Sequence, residues 1–154
     1  MKILVTGGCG FIGANFLLHS FGRRPDDHFV NVDALTYAAN PSSLESIAGS
    51  DRYGFERVDV ADHEAVHELF RRYEPDLVIH FAAESHVDRS IVGPKDFIRT
   101  NIDGTFALLE ACRISNRAIH FHHVSTDEVY GSLGPEGLFT ESTGYDPSSP
   151  YSAS

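Results

Sequence analysis

Cysteine and long apolar runs are scarce in this sequence. Its 154 residues include only two cysteines, Cys9 and Cys112, too few for a disulfide framework. We therefore expect reduced thiols and a cytoplasmic chain, with Cys9 filling space in a turn rather than acting as a nucleophile. No apolar run approaches the ~20 residues of a membrane span, and no signal peptide precedes the first predicted strand.

Positive charge is also scarce. Lysine and arginine total 12 against 22 aspartates and glutamates, and the formal net charge is −10. A surface for nucleic acid or for an anionic membrane needs clustered Lys and Arg, so we expect neither partner. A chain of this length is expected to form one domain that buries ~70% of its unfolded surface.

A glycine-rich turn follows the first apolar run. The run 3–5 (Ile-Leu-Val) is short and ends at glycine, which favours a buried strand. Gly7, Gly8, Gly10 and Gly13 then form two overlapping glycine patterns. We expect a side chain at Gly8 or Gly10 to keep a ligand off the backbone, and one at Gly13 to push the next helix off the strand. Such a turn suits a pyrophosphate, because free N–H groups and a helix dipole meet there.

The elements around this turn strengthen the prediction of a dinucleotide site. Helical spacing over 11–21 follows the glycines, and the run 29–32 predicts a second strand. Asp33 then lies 20 residues beyond Gly13, where a dinucleotide fold places the carboxylate that binds the adenosine ribose. A carboxylate there repels a 2′-phosphate, and Ala34 offers no guanidinium. The pattern therefore favours NAD over NADP. The alternatives are that the glycine turn binds no ligand and that Asp33 is an ordinary residue at the end of a strand.

Strands and helices alternate along the whole chain. The predicted strands are 3–5, 29–32, 53–58, 77–81 and 118–124, and the predicted helices are 11–21, 42–47, 62–73 and 94–115. An apolar stripe runs along the last helix through Phe97, Ile98, Ile102, Phe106, Leu109 and Cys112. The alternation predicts an α/β fold with a doubly wound parallel sheet of the Rossmann type. We expect strand order 3-2-1-4-5 with right-handed crossovers.

Two groups of histidines have spacings that resemble those of metal ligands. His63, Glu64 and His67 match H-E-x-x-H, but they lie in the first turns of a helix beside aspartates, with no third ligand. His120 and His122 alternate onto one face of the fifth strand, without Cys or an acidic ligand. We predict no metal site, and we expect the fifth strand to be buried or covered at its edge.

Acidic residues follow the third and fifth strands. Ligands bind beyond the carboxyl ends of strands in such sheets, so Asp59 is placed to reach an adenine amino group. Capping of the next helix is the alternative for Asp59 and equally for Asp62. After the fifth strand, Asp127 and Glu128 adjoin a hydroxyl at Thr126. Adjacent carboxyls that face different sides of a substrate can divide the roles of acid and base.

Six segments together resemble the extended short-chain dehydrogenase/reductase family and, within it, the dTDP-glucose 4,6-dehydratases. The segments are TGGCGFIG at 6–13, VDALTYAAN at 32–40, HFAAESHVDRSI at 80–91, TNIDGT at 100–105, VSTDEVYG at 124–131 and PSSPYSAS at 147–154. They span the chain in register. The acidic pair at 127–128 separates these dehydratases from the related epimerases.

The resemblance implies an NAD site and a sugar site. Together with the glycine turn, it assigns to the cofactor Gly7, Gly10, Phe11, Ile12, Gly13, Asp33, Ala34, Leu35, Thr36, Ala39, Asp59, Val60, Phe81, Ala82, Ala83, Glu84, Ser85, Thr100 and Tyr151. It assigns to the nucleotide-sugar substrate Ser85, Thr126, Asp127 and Glu128. The implied catalytic residues are Thr126, Asp127, Glu128 and Tyr151.

The implied reaction converts dTDP-glucose to its 4-keto-6-deoxy sugar. Tyr151, aided by Thr126, takes the proton from O4 while hydride leaves C4 for NAD. Glu128 then removes the C5 proton, and Asp127 protonates the departing C6 hydroxyl. Hydride returns to C6, so the cofactor is regenerated in each cycle. The family also dimerises through two helices, here 87–92 and 96–115, so we expect a homodimer at full length.

The sequence departs from the family in three respects. Tyr151 opens the Y-x-x-x-K motif, whose lysine would be residue 155 and is not part of this sequence, and we expect the carboxyl-terminal substrate domain to be missing as well. We therefore expect residues 1–154 to be the NAD-binding domain of a longer enzyme and to turn over slowly alone. Ala39 replaces a glycine of the cofactor loop. The alternatives are a sister dehydratase, epimerase or decarboxylase for a UDP- or GDP-sugar, and a non-catalytic dinucleotide-binding module.

Overall fold

Five parallel strands form a single sheet. In the computed structural model, which describes residues 1–154, the strands are β1 Lys2–Thr6, β2 His28–Val32, β3 Tyr53–Glu56, β4 Leu77–His80 and β5 His120–His123. Their order is β3-β2-β1-β4-β5, and every neighbouring pair is parallel. The predicted α/β fold and strand order are confirmed. Since all five strands run the same way, the loops after them meet at one edge of the sheet.

The helices connect these strands. They are α1 Phe11–Arg23, α2 Glu45–Ala48 after a 3-10 turn at Pro41–Leu44, α3 His63–Tyr73, α4 Val87–Val92, α5 Pro94–Phe97, α6 Thr105–Ile114 and α7 Pro150–Ala153. A π-helical segment, Ile98–Gly104, joins α5 to α6, and a 3-10 turn spans Asp127–Tyr130. None of the helices combines the length and the apolarity needed to cross a membrane.

Side chains alternate along β1 between two separate cores. Ile3 and Val5 face a cluster that includes Leu17 of α1. Leu4 faces the other cluster, where Val66 of α3 and Leu108 of α6 pack. All six are 1% exposed or less, so β1 is covered on both faces, as a central strand of a doubly wound sheet must be.

Helix α3 begins where a side chain caps it. The Asp62 carboxylate accepts a hydrogen bond from the Ala65 N–H at 3.1 Å, which satisfies one of the free amides of the first turn. Capping was one of two interpretations of Asp62, and the structure supports it.

The predicted helix over 94–115 forms as three consecutive segments, and most of its apolar stripe lies outside the buried face, although Phe97 is buried. Ile98, Ile102, Phe106 and Leu109 are each about half exposed, whereas Ala107, Leu108 and Ala111 are buried among the core side chains. Phe97, Gly104 and Ala111 are buried at intervals of seven residues, so one helical face runs through all three segments. The predicted stripe combined residues of two neighbouring faces, of which one packs on the core and the other is half exposed.

The fifth strand also differs from the prediction. β5 is the edge strand of the sheet, and His120, His122 and His123 are exposed. The expectation of a buried or covered strand is wrong for these 154 residues, because no neighbouring strand or helix covers the outer edge of β5. Two strands are also shorter than predicted, because β3 ends at Glu56 and β5 spans only four residues.

Candidate active site

A cleft of about 390 Å³ opens at the carboxyl edge of the sheet. The loops after β1, β2, β3 and β4 and one turn of the long helix contribute its walls. Its lining residues are Gly7, Gly10, Val32, Asp33, Ala34, Thr36, Tyr37, Ala38, Ala39, Val58, Asp59, Val60, Phe81, Ala82, Ala83, Glu84, Asp96, Arg99 and Thr100. Most of the predicted cofactor residues line this cleft.

The glycines of the first loop are required for different reasons. Gly7 has φ +68°, and a Cβ there would lie 2.6 Å from the Ala82 nitrogen. A Cβ at Gly13 would lie 2.3 Å from the Gly7 carbonyl oxygen, so Gly13 lets α1 pack on the loop, as predicted. At Gly10 only that same carbonyl oxygen is near, at 3.3 Å, and the rest of the space belongs to the cleft.

Gly8 serves the core rather than a ligand. A Cβ on this residue would lie 2.1 Å from the side-chain oxygen of buried Asn31 and 2.7 Å from Leu17. The prediction that Gly8 keeps the backbone open to a ligand is therefore wrong. Residues from β2 and α1 occupy the space beside it, which the local glycine pattern does not reveal.

Asp33 ties the loops after β1 and β2 together. Its carboxylate accepts hydrogen bonds from the Cys9 N–H at 2.9 Å and from the Leu35 N–H at 2.8 Å, and the residue is 8% exposed. Two carboxylate oxygens provide about four acceptor positions, so acceptor capacity remains for a ribose diol. The backbone at Leu35 has φ +57°, an uncommon conformation for a branched residue, and the bond from Asp33 helps to hold it.

Asp59 shares its carboxylate with an arginine that the sequence did not identify. One oxygen accepts from the Ala61 N–H at 2.9 Å, and the other pairs with the Arg99 guanidinium at 2.5 Å. The hydrogen bond to Asp59 raises the pKa of Arg99. Arg99 is the only basic residue of the cleft, where Asp33, Glu84 and Asp96 also contribute carboxylates.

A buried histidine supports the loop after β4. His80 Nδ1 lies 2.6 Å from the Thr6 hydroxyl, and His80 Nε2 lies 2.9 Å from the Thr105 hydroxyl. The Thr6 hydroxyl in turn accepts from the Ala82 N–H at 3.3 Å, which fixes the cleft wall. Burial, with a smaller contribution from His123, lowers the pKa of His80 to about 3, so its ring is neutral at physiological pH.

Asn101 connects the cleft to the end of the chain. It lies in the π-helical segment, where its side-chain oxygen accepts from the Glu84 N–H at 2.8 Å. Its side-chain nitrogen donates to the Glu84 carbonyl at 3.0 Å and to the Ser154 hydroxyl at 2.8 Å. π-Helical turns are often found at functional sites, and here the turn brings this one amide into reach of two loops.

The acidic pair lies in a short turn after β5. Thr126 caps this 3-10 turn, with its hydroxyl accepting from the Glu128 N–H at 3.3 Å. Asp127 and Glu128 are exposed. Gly131 ends the turn with φ +87°, where a Cβ would lie 2.7 Å from the Asp146 carbonyl oxygen. Because the turn follows the parallel strand β5, it lies at the same sheet edge as the cleft, and neither carboxyl has a protein partner.

Tyr151 lies on a helix that packs beside this turn. Ser149 and Ser152 form a capping box that begins α7, and Ser152 is 4% exposed. The Tyr151 ring meets the ring of buried Phe97 edge-on, with centroids 6.3 Å apart. Helix α7 contacts α4, α5 and the acidic turn. Tyr151, the acidic pair and the cleft wall at Glu84 are thus linked through α7 and Asn101.

Several predicted site residues do not line the cleft. Phe11 and Ile12 are 86% and 61% exposed at the start of α1, and Leu35 packs against the core. Ser85 is exposed just past the cleft wall, while Tyr151 lies on α7 beside the acidic turn. Gly13 is buried behind the glycine loop. The cofactor role of these residues, like that of the residues that line the cleft, stays a prediction.

The cleft also contains residues that the sequence reasoning missed. They are Val32, Tyr37, Ala38, Val58, Asp96 and Arg99. Val32 and Val58 adjoin predicted residues, and Tyr37 and Ala38 lie between the predicted residues Thr36 and Ala39. Asp96 and Arg99 had no sequence signal, since they enter the cleft only because the long helix crosses the ends of the strands.

Neither cysteine nor histidine forms a reactive cluster. Cys9 is buried in the core, as expected for a space-filling residue, and burial raises the pKa of its thiol. Burial likewise raises the pKa of Cys112 to about 11. No three His, Cys, Asp or Glu side chains are grouped closely enough to hold a metal ion.

Known proteins match the chain over nearly its whole length. A dTDP-glucose 4,6-dehydratase of Neisseria meningitidis serogroup B is 54% identical, over 99% of this chain and 45% of its own length. The solved dTDP-glucose 4,6-dehydratase of Streptomyces venezuelae with NAD bound has a TM-score of 0.90 and 43% identity, covering 99% of this chain and 48% of that one. The corresponding enzyme of Bacillus anthracis in complex with NAD has a TM-score of 0.89 and 40% identity, covering 99% and 46%.

These matches confirm the resemblance that the motifs indicated. The chain spans about half the length of the curated relatives that it matches. The family model of GDP-mannose 4,6 dehydratases aligns with residues 4–154. The chain therefore belongs to the GDP-mannose 4,6 dehydratase family.

Proposed function

We propose that the full-length protein is an NAD-dependent dTDP-glucose 4,6-dehydratase, and that this chain carries its cofactor site and most of its acid–base residues. The observation that carries the proposal is the connection, at one sheet edge, between the dinucleotide cleft and the turn with Asp127 and Glu128. Asn101 bonds Glu84 of the cleft to Ser154 at the end of α7, and α7 packs beside that turn. A binding module without chemistry has no need of two adjacent free carboxyls beside a tyrosine.

The residues of the cleft fit NAD. Gly10 leaves backbone open at the amino end of α1, which suits a pyrophosphate. Asp33 keeps free acceptor capacity for a ribose diol and disfavours a 2′-phosphate. When bound, NAD supplies the hydride acceptor for C4 of the sugar and the hydride donor for C6. Asp59 is placed to accept from the adenine amino group while Arg99 holds its other oxygen.

Each catalytic residue has a proton to move. Tyr151, aided by the Thr126 hydroxyl, would take the proton of the sugar O4 as C4 gives up its hydride, and the two losses together make C4 a ketone. The ketone acidifies the C5–H, and the carboxylate of Glu128 removes that proton. Asp127, as a carboxylic acid, protonates the leaving C6 hydroxyl. Both carboxyls are exposed in one turn, so each is able to face a different atom of the hexose.

Turnover of the full-length protein tests this function. We expect loss of one water from dTDP-glucose by mass spectrometry, with less or no product from UDP-glucose, GDP-glucose and GDP-mannose. Glu128→Gln should lower turnover at least ~100-fold and abolish exchange of the C5 proton with solvent, because it removes the base. Glu141→Gln, in the exposed loop beyond the turn, is the matched control. Unchanged dehydration in Glu128→Gln would refute the role of Glu128, and preference for another nucleotide would favour a sister enzyme.

We propose that the full-length protein is a homodimer in the cytoplasm. An exposed apolar surface along α4 and the long helix supports the dimer, with Ile91, Val92, Ile98, Ile102, Phe106 and Leu109 each at least 45% exposed. Two free thiols in packed positions support the reducing compartment. Leu109→Glu should convert the dimer to a monomer in sedimentation velocity, whereas Leu138→Glu, exposed in the later loop, should not. A monomeric parent protein would refute the dimer.

A further inference from the structure

Two loops of the cleft are joined by a tyrosine that the proposed function does not use. The Tyr37 hydroxyl donates to a Glu84 carboxylate oxygen at 3.1 Å. The Arg89 guanidinium lies over the Tyr37 ring, 4.0 Å from its centroid, in a cation–π contact. We call Tyr37, Glu84 and Arg89 the strap residues.

The sheet topology places this contact across the glycine loop. Tyr37 follows β2 and Glu84 follows β4, and these strands lie on opposite sides of β1. Neighbouring strands are about 4.8 Å apart, so the two loops start about 10 Å from each other with the loop after β1 between them. Tyr37 and Glu84 both line the cleft. A bond between them therefore spans the region where the backbone at Gly10 is open to a ligand.

Both ends of the strap are fixed to the rest of the protein. On the β2 side, the loop is held by the Asp33 carboxylate on Leu35 N–H and by the Asn40 N–H, which donates to the Cys9 carbonyl at 2.7 Å. On the β4 side, Asn101 satisfies both backbone groups of Glu84. The mobile part of the strap is thus the side-chain contact itself.

The hydrogen bond between Tyr37 and Glu84 is expected to form at neutral pH and to open without unfolding of the protein. Burial raises the pKa of Tyr37, and Glu84 raises it further, so the hydroxyl keeps its proton and donates at neutral pH. Tyr37 is 59% exposed, and its outer side faces solvent. A hydrogen bond of this kind contributes a factor of about 2 to 10 in an equilibrium. Opening it is therefore a rapid event compared with unfolding.

We propose that the strap residues gate the exchange of the dinucleotide, an inference that rests on the proposed NAD site. The bond is made between two protein groups and not to the cofactor. Its loss therefore lowers the barrier to entry and to release alike and leaves the affinity nearly unchanged. Slow exchange of the dinucleotide suits a reaction that regenerates its cofactor within each cycle, because the enzyme does not need to release the cofactor between turnovers.

Exchange kinetics of the intact protein test the gate. Tyr37→Phe removes the hydroxyl but keeps the ring under Arg89, and stopped-flow fluorescence of NADH gives both rate constants. We expect association and dissociation each to accelerate about 5-fold, with Kd changing less than twofold. Tyr37→Ala, which also loses the cation–π contact, should accelerate both further.

The chain provides a matched control away from the cleft. The Tyr73 hydroxyl donates to Glu56, and the Arg72 guanidinium lies 5.7 Å from the Tyr73 ring centroid. Tyr73→Phe therefore removes a bond of the same chemistry, and it should leave both NADH rate constants unchanged. Melting temperatures of the Tyr37→Phe and Tyr73→Phe proteins show that both variants are folded.

Each outcome separates the gate from the site on which it rests. Wild-type protein that binds NADH, with Tyr37→Phe rates equal to the wild type, overturns the gate and leaves the proposed function intact. Faster release with unchanged entry also overturns it, because Tyr37 would then contact the cofactor directly. Wild-type protein that binds no NADH overturns the cofactor site and the gate together.

Discussion

The two halves of the functional edge are built differently. On the proposed cofactor side, formed by the loops after β1, β2 and β4, the two polar groups that support the loops are buried and hydrogen-bonded, with Asp33 8% exposed and His80 1% exposed. On the catalytic side, from Thr126 to Ser154, Ser152 is the only buried residue. Packing therefore fixes the first half, while caps and one bridging amide hold the second. We expect substitutions on the cofactor side to change stability and those on the catalytic side to change turnover.

Gly7→Ala should give the largest effect on the cofactor side. The backbone at Gly7 has φ +68°, and the added Cβ would meet backbone atoms of Ala82 that cannot move without the sheet. We expect a loss of about 3 kcal/mol in the free energy of unfolding, measured by urea denaturation. Gly22→Ala in α1 is the control, because nothing lies within 4 Å of its Cβ. That variant should gain about 0.5–1 kcal/mol. Equal effects at both sites would mean that the loop is not tightly packed.

Acid should destabilise the cofactor side through His80. Its pKa in the folded protein is about 3, below the 6.5 of an unfolded histidine, so the unfolded chain takes up the proton first as the pH falls. The stabilising effect of neutral His80 is complete above pH 6.5 and is lost progressively below it. Between pH 7 and pH 5 we expect a loss of about 2 kcal/mol from this residue. His80→Gln should flatten that part of the urea-midpoint profile, and an unchanged slope would contradict the assignment.

Asn101→Ala should uncouple the two sides. It removes the bonds to Glu84 and Ser154, so the helix with Tyr151 loses its link to the cleft. In the full-length protein we expect turnover to fall about tenfold, equivalent to about 1.4 kcal/mol. Asn15→Ala, which removes an exposed bond to the Phe11 carbonyl, is the control and should leave turnover unchanged. A change confined to NAD affinity would show that Asn101 serves the cofactor side alone.

Removing one helix cap on each side should give the smallest effects and compares the two sides directly. Asp62→Ala removes the cap of α3 on the cofactor side and should lower the free energy of unfolding by about 1 kcal/mol without changing the turnover number. Ser149→Ala removes the cap of the four-residue helix that carries Tyr151. It should lower turnover about threefold while global stability changes by less than about 0.5 kcal/mol. A loss of turnover in Asp62→Ala together with a loss of stability in Ser149→Ala would contradict the proposed difference between the two sides.

The sequence predicted most of the cofactor side because its signals are local. The apolar run before Gly7, the glycine spacing and the position of Asp33 each depend on neighbouring residues and on strand and helix periods. The errors arose where the deciding neighbour is distant in the chain. Gly8 faces Asn31 rather than a ligand, and Ile102 is about half exposed because the core packs against a neighbouring face of its helix. Arg99 enters the cleft through the crossing of helix and sheet, for which the sequence has no local signal.

The amino-acid sequence by itself determined the order of strands and helices, the parallel sheet and the family, since these follow from periodicity, glycine spacing and motif content. Only the tertiary structure decided which polar groups meet. Tyr37 with Glu84, Asp59 with Arg99, and Asn101 with both Glu84 and Ser154 are contacts between residues 17 to 53 positions apart. Such contacts depend on strand order, helix phase and side-chain rotamer together, and no local pattern encodes that combination.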